Sequence, residues 1–340
     1  MAGLSFEQRR NDGPVAAGTV IVTGPTASGK SDVAVALAQR IGGEIVSLDA
    51  FAVYRRMDIG TAKPSREQRS AANHHMIDVV DPDCRYSVQR YLESAGRICG
   101  EIFGRNRTPI LCGGTPRYLR AVLRGFDPGP PADQAFRAAV QTDVDRYGSE
   151  ALHRRLVQVD PISASNIDST DVRRMTRALE VSYLTGIPMS HHQTHHDRPS
   201  ELPPRAAVWL RWPRPQLHDR INRRTAAMFD AGLVDEVRGL IAEPSPEPSC
   251  KPLAGLSQTA AQAVGYREVI EFLNNECSLA ECRERVAAHT RQLARRQETW
   301  FRGMSELTPI DITANLIADN DSIRADKIAD RIESLFQSAR

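Results

Sequence analysis

One octapeptide constrains this chain more than any other feature. Gly24, Pro25, Thr26, Ala27, Ser28, Gly29, Lys30 and Ser31 read G-x-x-x-x-G-K-S, and they follow directly on the apolar, strand-like stretch 19–23. Small residues at such a bend let backbone N–H groups turn inward onto anionic oxygens. The lysine adds a positive charge, and the serine hydroxyl can reach a Mg²⁺ carried by the phosphate. The run from Ser31 to Arg40 supplies the helix this geometry needs. Strand, loop and helix in that order predict an α/β fold of the P-loop NTPase type that grips a di- or triphosphate. Such loops most often hold ATP, so nucleotide binding is the first expectation.

At 340 residues the chain has room for about two domains with sizeable cores. Hydrophobic residues at 41% and charged residues at 25% give the balance of an ordinary soluble protein. No run approaches the ~18 apolar residues of a membrane span, so no membrane association is expected. Residues 1–17 are polar and include Glu7 and Asp12, which argues against a secretory signal or transit peptide and reads as a disordered tail. Cys84, Cys99, Cys112, Cys250, Cys277 and Cys282 contain no C-x-x-C pair, so neither a disulfide framework nor a zinc site is expected and a reducing cytoplasm fits. Formal net charge is only +2, so a nucleic-acid partner would have to be met by local basic patches.

Strand-like runs recur at 19–23, 44–48, 108–112 and 206–211, with helical patterns between several of them, as in a parallel sheet flanked by helices. After a Pro- and Gly-dense segment at 127–131, the pattern from 134 to about 186 is helical without a strand signal. Residues 127–204 therefore read as a helical insertion in a catalytic core formed by 18–126 and 205–310, whose last part is helical over 215–241 and 263–302. Residues 311–340 read as a C-terminal helix or tail. His191, His192, His195 and His196 invite a metal reading, but no nearby cysteine or paired carboxylate completes a site.

The second strand-like run ends in Ser47-Leu48-Asp49, which delivers Asp49 to the same sheet edge as the phosphate loop. A carboxylate there can hold Mg²⁺ or activate an acceptor, or it can cap the next turn. The irregular stretch 50–64 that follows has the length of a functional loop. Gly113, Gly114 and Thr115 close the third run at the same edge, where glycines admit a ligand and the threonine offers a hydroxyl; a tight strand-to-helix turn explains them equally well.

Seven blocks in order carry a resemblance: GPTASGKS, SLDAFAVYRRMDIGTAKP, HHMIDVVDP followed by YS, GGTPRYLRAVLRG, RRMTRALEV, QAVGYREVI and TRQLARRQETWFR. In register from about Val20 to Arg302, they resemble the bacterial tRNA dimethylallyltransferases, also called tRNA isopentenyltransferases. The resemblance implies that the loop holds the diphosphate of dimethylallyl diphosphate. The N6 amine of the adenosine 3′ of a tRNA anticodon, flipped from its stack, then attacks the allylic carbon. It implies Asp49 as general base, Thr115 as a channel residue touching nucleotide and diphosphate, and Mg²⁺ near Ser31 as cofactor. Arg224 best matches the family arginine that reaches the diphosphate, with Arg220 and Arg223 as close competitors. Contacts to the anticodon stem-loop are implied at Asp49, Ala50, Phe51, Ala52 and Thr115, at Arg137, and at Arg173, Arg174, Met175, Thr176 and Arg177. Further ones fall at Gln262, Gly265, Tyr266 and Arg267, and at Arg291, Arg295, Arg296 and Gln297.

The last segment is persuasive on physical grounds, because Arg291 and Arg295 share a helix face and Arg296 and Arg302 lie close by. A monomer is expected. Ala52 stands where the family has a longer or amide side chain, and GGTPRY replaces its GGTGLY, which puts Pro116 and Arg117 beside the channel. The alternatives are an adenylate isopentenyltransferase acting on free nucleotide, a small-molecule P-loop kinase, and a nucleotide-gated RNA-binding switch without transfer chemistry. A helical insertion and a basic C-terminal helix favour tRNA over a free nucleotide.

Overall fold

The computed structural model describes residues 18–194, 203–242 and 255–338. The expected disordered tail at 1–17, together with His195 and His196, lies outside them. The chain forms two compact units, one comprising Arg124–Ser200 and the other comprising the residues on both sides of it.

In chain order the larger unit begins with β1 (Val20–Thr23), α1 (Lys30–Ile41), β2 (Gly43–Ser47), α2 (Arg66–Ala71), β3 (His74–His75), α3 (Val88–Gly104), β4 (Thr108–Gly113) and α4 (Pro116–Arg124). The smaller unit is built from α5 (Gln134–Tyr147), α6 (Ser149–Val159), α7 (Pro161–Asn166), α8 (Val172–Thr185) and α9 (Met189–Thr194). The larger unit resumes with β5 (Ala206–Arg211), α10 (Arg214–Asp230), α11 (Leu233–Ala242), α12 (Tyr266–Leu273), α13 (Leu279–Arg302), β6 (Thr308–Asp311), α14 (Ala314–Ala318) and α15 (Asp321–Ser338).

The six strands form one parallel sheet in the order β3-β2-β4-β1-β5-β6. β1 is therefore central, and all four of its residues are buried, as two covered faces require. Its last residue, Thr23, pairs with Gly113, while Ser47 pairs with Cys112, so β1, β2 and β4 end level and aim their following loops at one edge. Gly113 permits this convergence. A Cβ built there would lie 2.1 Å from the Leu48 carbonyl oxygen, closer than any side chain can approach.

The four strands expected from the sequence are all present. β3 and β6 were not expected. β3 has only two residues, and β6 buries only Ile310 and carries Pro309, which an edge strand tolerates, so neither leaves an apolar run to read. The C-terminal segment, read as a helix or tail, is helical over α15 and packs into the larger unit. Ala325, Ile328, Ala329, Ile332 and Phe336 share one face of α15 and join Val33, Leu37 and Val208 in the core beside the sheet.

The smaller unit has its own core of Val140, Leu152, Leu156, Ile167, Met175, Ala178 and Leu179. Glu180, fully buried, binds it electrostatically. Arg137 grips both carboxylate oxygens at 2.7 and 2.8 Å, Arg177 adds a contact of 2.6 Å, and the Asp133 amide donates at 2.9 Å. Burial by itself raises the Glu180 pKa, but the hydrogen bonds from Arg137, Arg177 and the Asp133 amide outweigh it and hold the carboxyl at about 2.

Two stability predictions follow from these packing arrangements. Gly113→Ala should destabilise the protein by about 3 kcal/mol, the upper part of the overpacking range, measured by urea denaturation. Glu180→Ala should cost about 2 kcal/mol by removing the shared acceptor of Arg137, Arg177 and the Asp133 amide. Because its pKa is lower folded than unfolded, the stability Glu180 contributes is intact above pH ~4.5 and declines as pH falls toward 2. The stability difference between wild type and Glu180→Gln, measured by urea denaturation, should be constant above that window and shrink as pH falls through it.

Candidate active site

The phosphate loop leaves β1 and is bent by left-handed backbone at Ala27, φ 63°, and Gly29, φ 82°. Its carbonyls are held from behind. Arg220 Nε donates to Ala27 O at 2.8 Å, and Trp212 Nε1 donates to Ser28 O at 3.0 Å. Arg220 also stacks over the Trp212 ring at 4.8 Å and pairs with Asp321 at 2.7 Å. With carbonyls engaged on that side, the amides of Ala27, Gly29, Lys30 and Ser31 have no acceptor among the described residues. They are a ready anion cradle at the start of α1, which has no side-chain cap.

These residues line a cavity of about 570 Å³ in the larger unit. Its wall includes Thr26, Ala27, Gly29, Lys30, Ser31, Asp32, Asp49, Phe51, Ala52, Gly113, Arg223, Arg224 and Gln297. Lys30 Nζ lies 3.4 Å from Pro25 O. Burial lowers its pKa, with Arg224 acting in the same sense and Cys112 and Asp49 opposing. An anion entering the cavity would restore the favourable field that burial removes. Behind Lys30, burial pushes the Cys112 thiol up to about 12, so it is an inert packing group.

Asp49 does two things at once. Its Oδ1 accepts the amides of Phe51 at 2.8 Å and Ala52 at 3.2 Å, capping the turn, while Oδ2 has no hydrogen-bond partner among the described residues. The cap fixes the carboxylate and leaves one oxygen available on the cavity wall. Thr115 does not line the cavity; its Oγ1 accepts the Ala50 amide at 3.1 Å and so sets the direction of the chain just after Asp49.

The three candidate arginines on α10 separate clearly. Arg220 is committed to the loop carbonyl, to Asp321 and to Trp212. Arg223 is exposed. Arg224 lines the cavity, faces Asp49 and has no hydrogen bond or ion pair among the described residues. Burial disfavours its charged form, Asp49 opposes that, and nearby Arg220 adds to it. Arg224 is the guanidinium positioned to meet an anion beside Lys30. For Mg²⁺ the donor set is suitable, since Ser31 offers a hydroxyl and Asp32 a carboxylate on the same wall, both hard oxygens. Asp32 Oδ1 accepts Gln68 Nε2 at 2.6 Å, and burial raises its pKa.

Of the residues expected to touch RNA, Arg173, Arg174, Gln262, Arg267, Arg295 and Arg296 are exposed, and Arg291 is half-buried against Asn222 at 2.5 Å. Arg295, Arg296 and Arg302 have no ion-pair partner among the described residues. Met175 and Tyr266 are instead fully buried, which corrects their reading as contacts. Met175 sits in the small core, and the Tyr266 hydroxyl donates to Glu236 at 2.5 Å. Glu236 also accepts the amides of Asp58, Ile59 and Gly60 at 2.8, 2.7 and 3.2 Å, which secures the 50–64 loop. Gly265 is buried at the start of α12, and Arg137 and Arg177 are engaged by Glu180. The His192 ring lies 3.1 Å from Asp127, and no group of three metal-ligating side chains occurs among the described residues. No described helix is long and apolar enough to cross a membrane.

Sequence reasoning missed Trp212 and Glu236, and it missed Lys63, which is buried on the cavity wall between Asp58 at 2.7 Å and Asp78 at 2.5 Å. Their partners lie far off in sequence, and only the TAKP block hinted at Lys63.

A parallel sheet with an open phosphate loop, a carboxylate and a free arginine at one edge defines a P-loop α/β protein built to handle a phosphorylated substrate. Comparison with known proteins narrows the class. The IPP transferase family model matches residues 52–304, and an isopentenyl transferase model matches residues 18–78. A tRNA dimethylallyltransferase of Rhodopirellula baltica is 49% identical over 85% of this chain and 86% of its own, and one of Geobacter sulfurreducens is 42% identical over 87% and 92%. The solved tRNA isopentenylpyrophosphate transferase of Bacillus halodurans is 34% identical, with a TM-score of 0.66 over 94% of this chain and 97% of that one. The chain belongs to the tRNA dimethylallyltransferase family.

Arg224→Ala should weaken binding of inorganic pyrophosphate in the presence of Mg²⁺ about tenfold, the loss of one charge-assisted contact. Arg223→Ala, at an exposed position, should change it less than about twofold. Isothermal titration calorimetry of the two variants checks both.

Proposed function

We propose that this protein transfers the dimethylallyl group of dimethylallyl diphosphate to the N6 amine of the adenosine 3′ of the anticodon in tRNA, releasing diphosphate. The observation that carries the reading is one cavity wall that brings together open phosphate-loop amides, Lys30, Arg224 and Asp49. It occurs in a chain 42 to 49% identical to proteins named tRNA dimethylallyltransferase.

The chemistry follows from the residues. The N6 lone pair forms the new bond to the allylic carbon as the carbon–oxygen bond to diphosphate breaks, and the electron pair of that bond leaves with the diphosphate. Charge therefore grows on the leaving oxygens. Fixed loop amides, Lys30 and Arg224 stabilise it without having to reorganise. Mg²⁺ bound to the diphosphate would supply further charge neutralisation, with Ser31 as its protein ligand. The proton lost from N6 passes to Asp49, whose Oδ2 is open while Oδ1 is pinned by two amides. The exposed Arg295, Arg296 and Arg302 on α13, and Arg173 and Arg174 on α8, suit contact with RNA phosphates.

Mass spectrometry of nucleosides from tRNA incubated with the protein and dimethylallyl diphosphate should show isopentenyladenosine. Prenylated AMP with unaltered tRNA would instead favour the free-nucleotide enzyme, and ATP consumption without prenyl transfer would favour a kinase. Asp49→Asn should lower turnover about 10²-fold or more while leaving tRNA affinity within about twofold, as loss of a general base requires. Undiminished turnover would remove Asp49 from that role.

A further inference from the structure

Gln297 lies on α13 immediately after Arg295 and Arg296, a position that suggests a contact to RNA. Its side chain is turned the other way. It is 6% exposed, and both ends of its amide are used inside the protein. Oε1 accepts the backbone N–H of Thr26 at 2.9 Å, and Nε2 donates to the carbonyl oxygen of Gly114 at 2.6 Å. Thr26 lies within the phosphate loop, and Gly114 lies in the turn that follows β4. One carboxamide thus ties together the two backbone segments that flank the anion cradle.

The fit around Gly114 shows how closely these parts are set. A Cβ built on Gly114 would lie 2.7 Å from Gln297 Nε2, 3.0 Å from the Gly24 carbonyl oxygen and 3.5 Å from Lys30 Cε. The first residue of the loop, its lysine and the Gln297 amide therefore converge on one glycine. One residue earlier, Thr23 Oγ1 donates to Gly113 O at 2.7 Å, so the stem of the loop is already tied to the same turn and Gln297 extends the tie to the loop itself.

We infer that Gln297 is a positioning residue for the diphosphate, holding the phosphate loop against the Gly114 turn, and that it is not an RNA contact. Only a side chain with an acceptor and a donor on one planar head bridges an N–H and a C=O in this way; glutamate keeps the acceptor but sets a carboxylate against the Gly114 carbonyl. A loop released from this tie would still fold but would no longer present its amides preformed, so binding would have to supply the ordering.

The inference rests on the loop being the diphosphate site, and the experiment separates the two. Inorganic pyrophosphate with Mg²⁺ is titrated calorimetrically into wild type, Gln297→Met, Gln297→Glu and Gly114→Ala, and anticodon stem-loop RNA is titrated in parallel. Steady-state KM for dimethylallyl diphosphate and kcat are measured on the same samples. Wild type should bind pyrophosphate. A wild type that does not would remove the diphosphate reading itself, and with it this inference.

Gln297→Met should lose about tenfold in pyrophosphate affinity, the worth of two neutral hydrogen bonds, with KM raised to match and RNA affinity within about twofold. Gln297→Glu should fare no better than Gln297→Met. Gly114→Ala, which displaces the amide from the opposite side, should reproduce the pattern and serves if the Gln297 variants do not fold. Lower stability alone would leave the pyrophosphate affinity of the folded fraction unchanged. Weakened RNA binding with normal pyrophosphate affinity would overturn the inference.

Discussion

The parallel pairing of β1 with β4 is the constraint on which the rest of the site depends. It ends Thr23 level with Gly113, and only a residue without a Cβ lets β4 pass so close to the chain leaving β2. From that crossing the phosphate loop departs on one side and Asp49 on the other, while Thr115 reaches back to the Ala50 amide. A side chain at Gly113 would push on the chain leaving β2 just before Asp49, at the point where the loop, the carboxylate and the turn converge.

Charge is arranged around this crossing with a division of labour. Arg220 and Trp212 bind loop carbonyls and so leave the amides for an anion, whereas Arg224, one helical turn further on, is left for the anion itself. Burial lowers the Lys30 pKa. A site whose positive groups are desolvated and only partly paired favours a polyanion strongly, and it favours still more the state in which that anion gains charge as a leaving group. The loop over residues 50–64 forms part of the cavity wall and is held by charges, Lys63 between Asp58 and Asp78 and Glu236 of α11 against three successive amides. It is a fixed wall built from irregular backbone.

The smaller unit follows a different principle. It is helical, with a modest apolar core, and the buried Glu180 with two arginines closes it where apolar residues are few. Arg137 and Arg177 serve its structure, while Arg173 and Arg174, on the same helix as Arg177, keep their charges outward.

Local signals made much of this legible. An octapeptide with its flanking strand and helix, four apolar runs and a basic helix determined the fold class, the phosphate loop, and the placement of Asp49 and the Gly113 turn at one edge, because each depends on residues adjacent in the chain. Tertiary structure alone decided which of three neighbouring arginines is set into the cavity wall without a partner among the described residues, that Met175 and Tyr266 are core and not surface, and that α15 completes the core beside the sheet. It also turned Gln297 from an apparent RNA contact into a clamp on the loop. Each of those outcomes rests on a partner far away in sequence: Thr26 and Gly114 for Gln297, Ala27 for Arg220, Glu236 for Tyr266. The residue types in the chain set what each side chain can do, and only the packing of distant segments decides which of those capacities is spent inside the protein and which is left for a substrate.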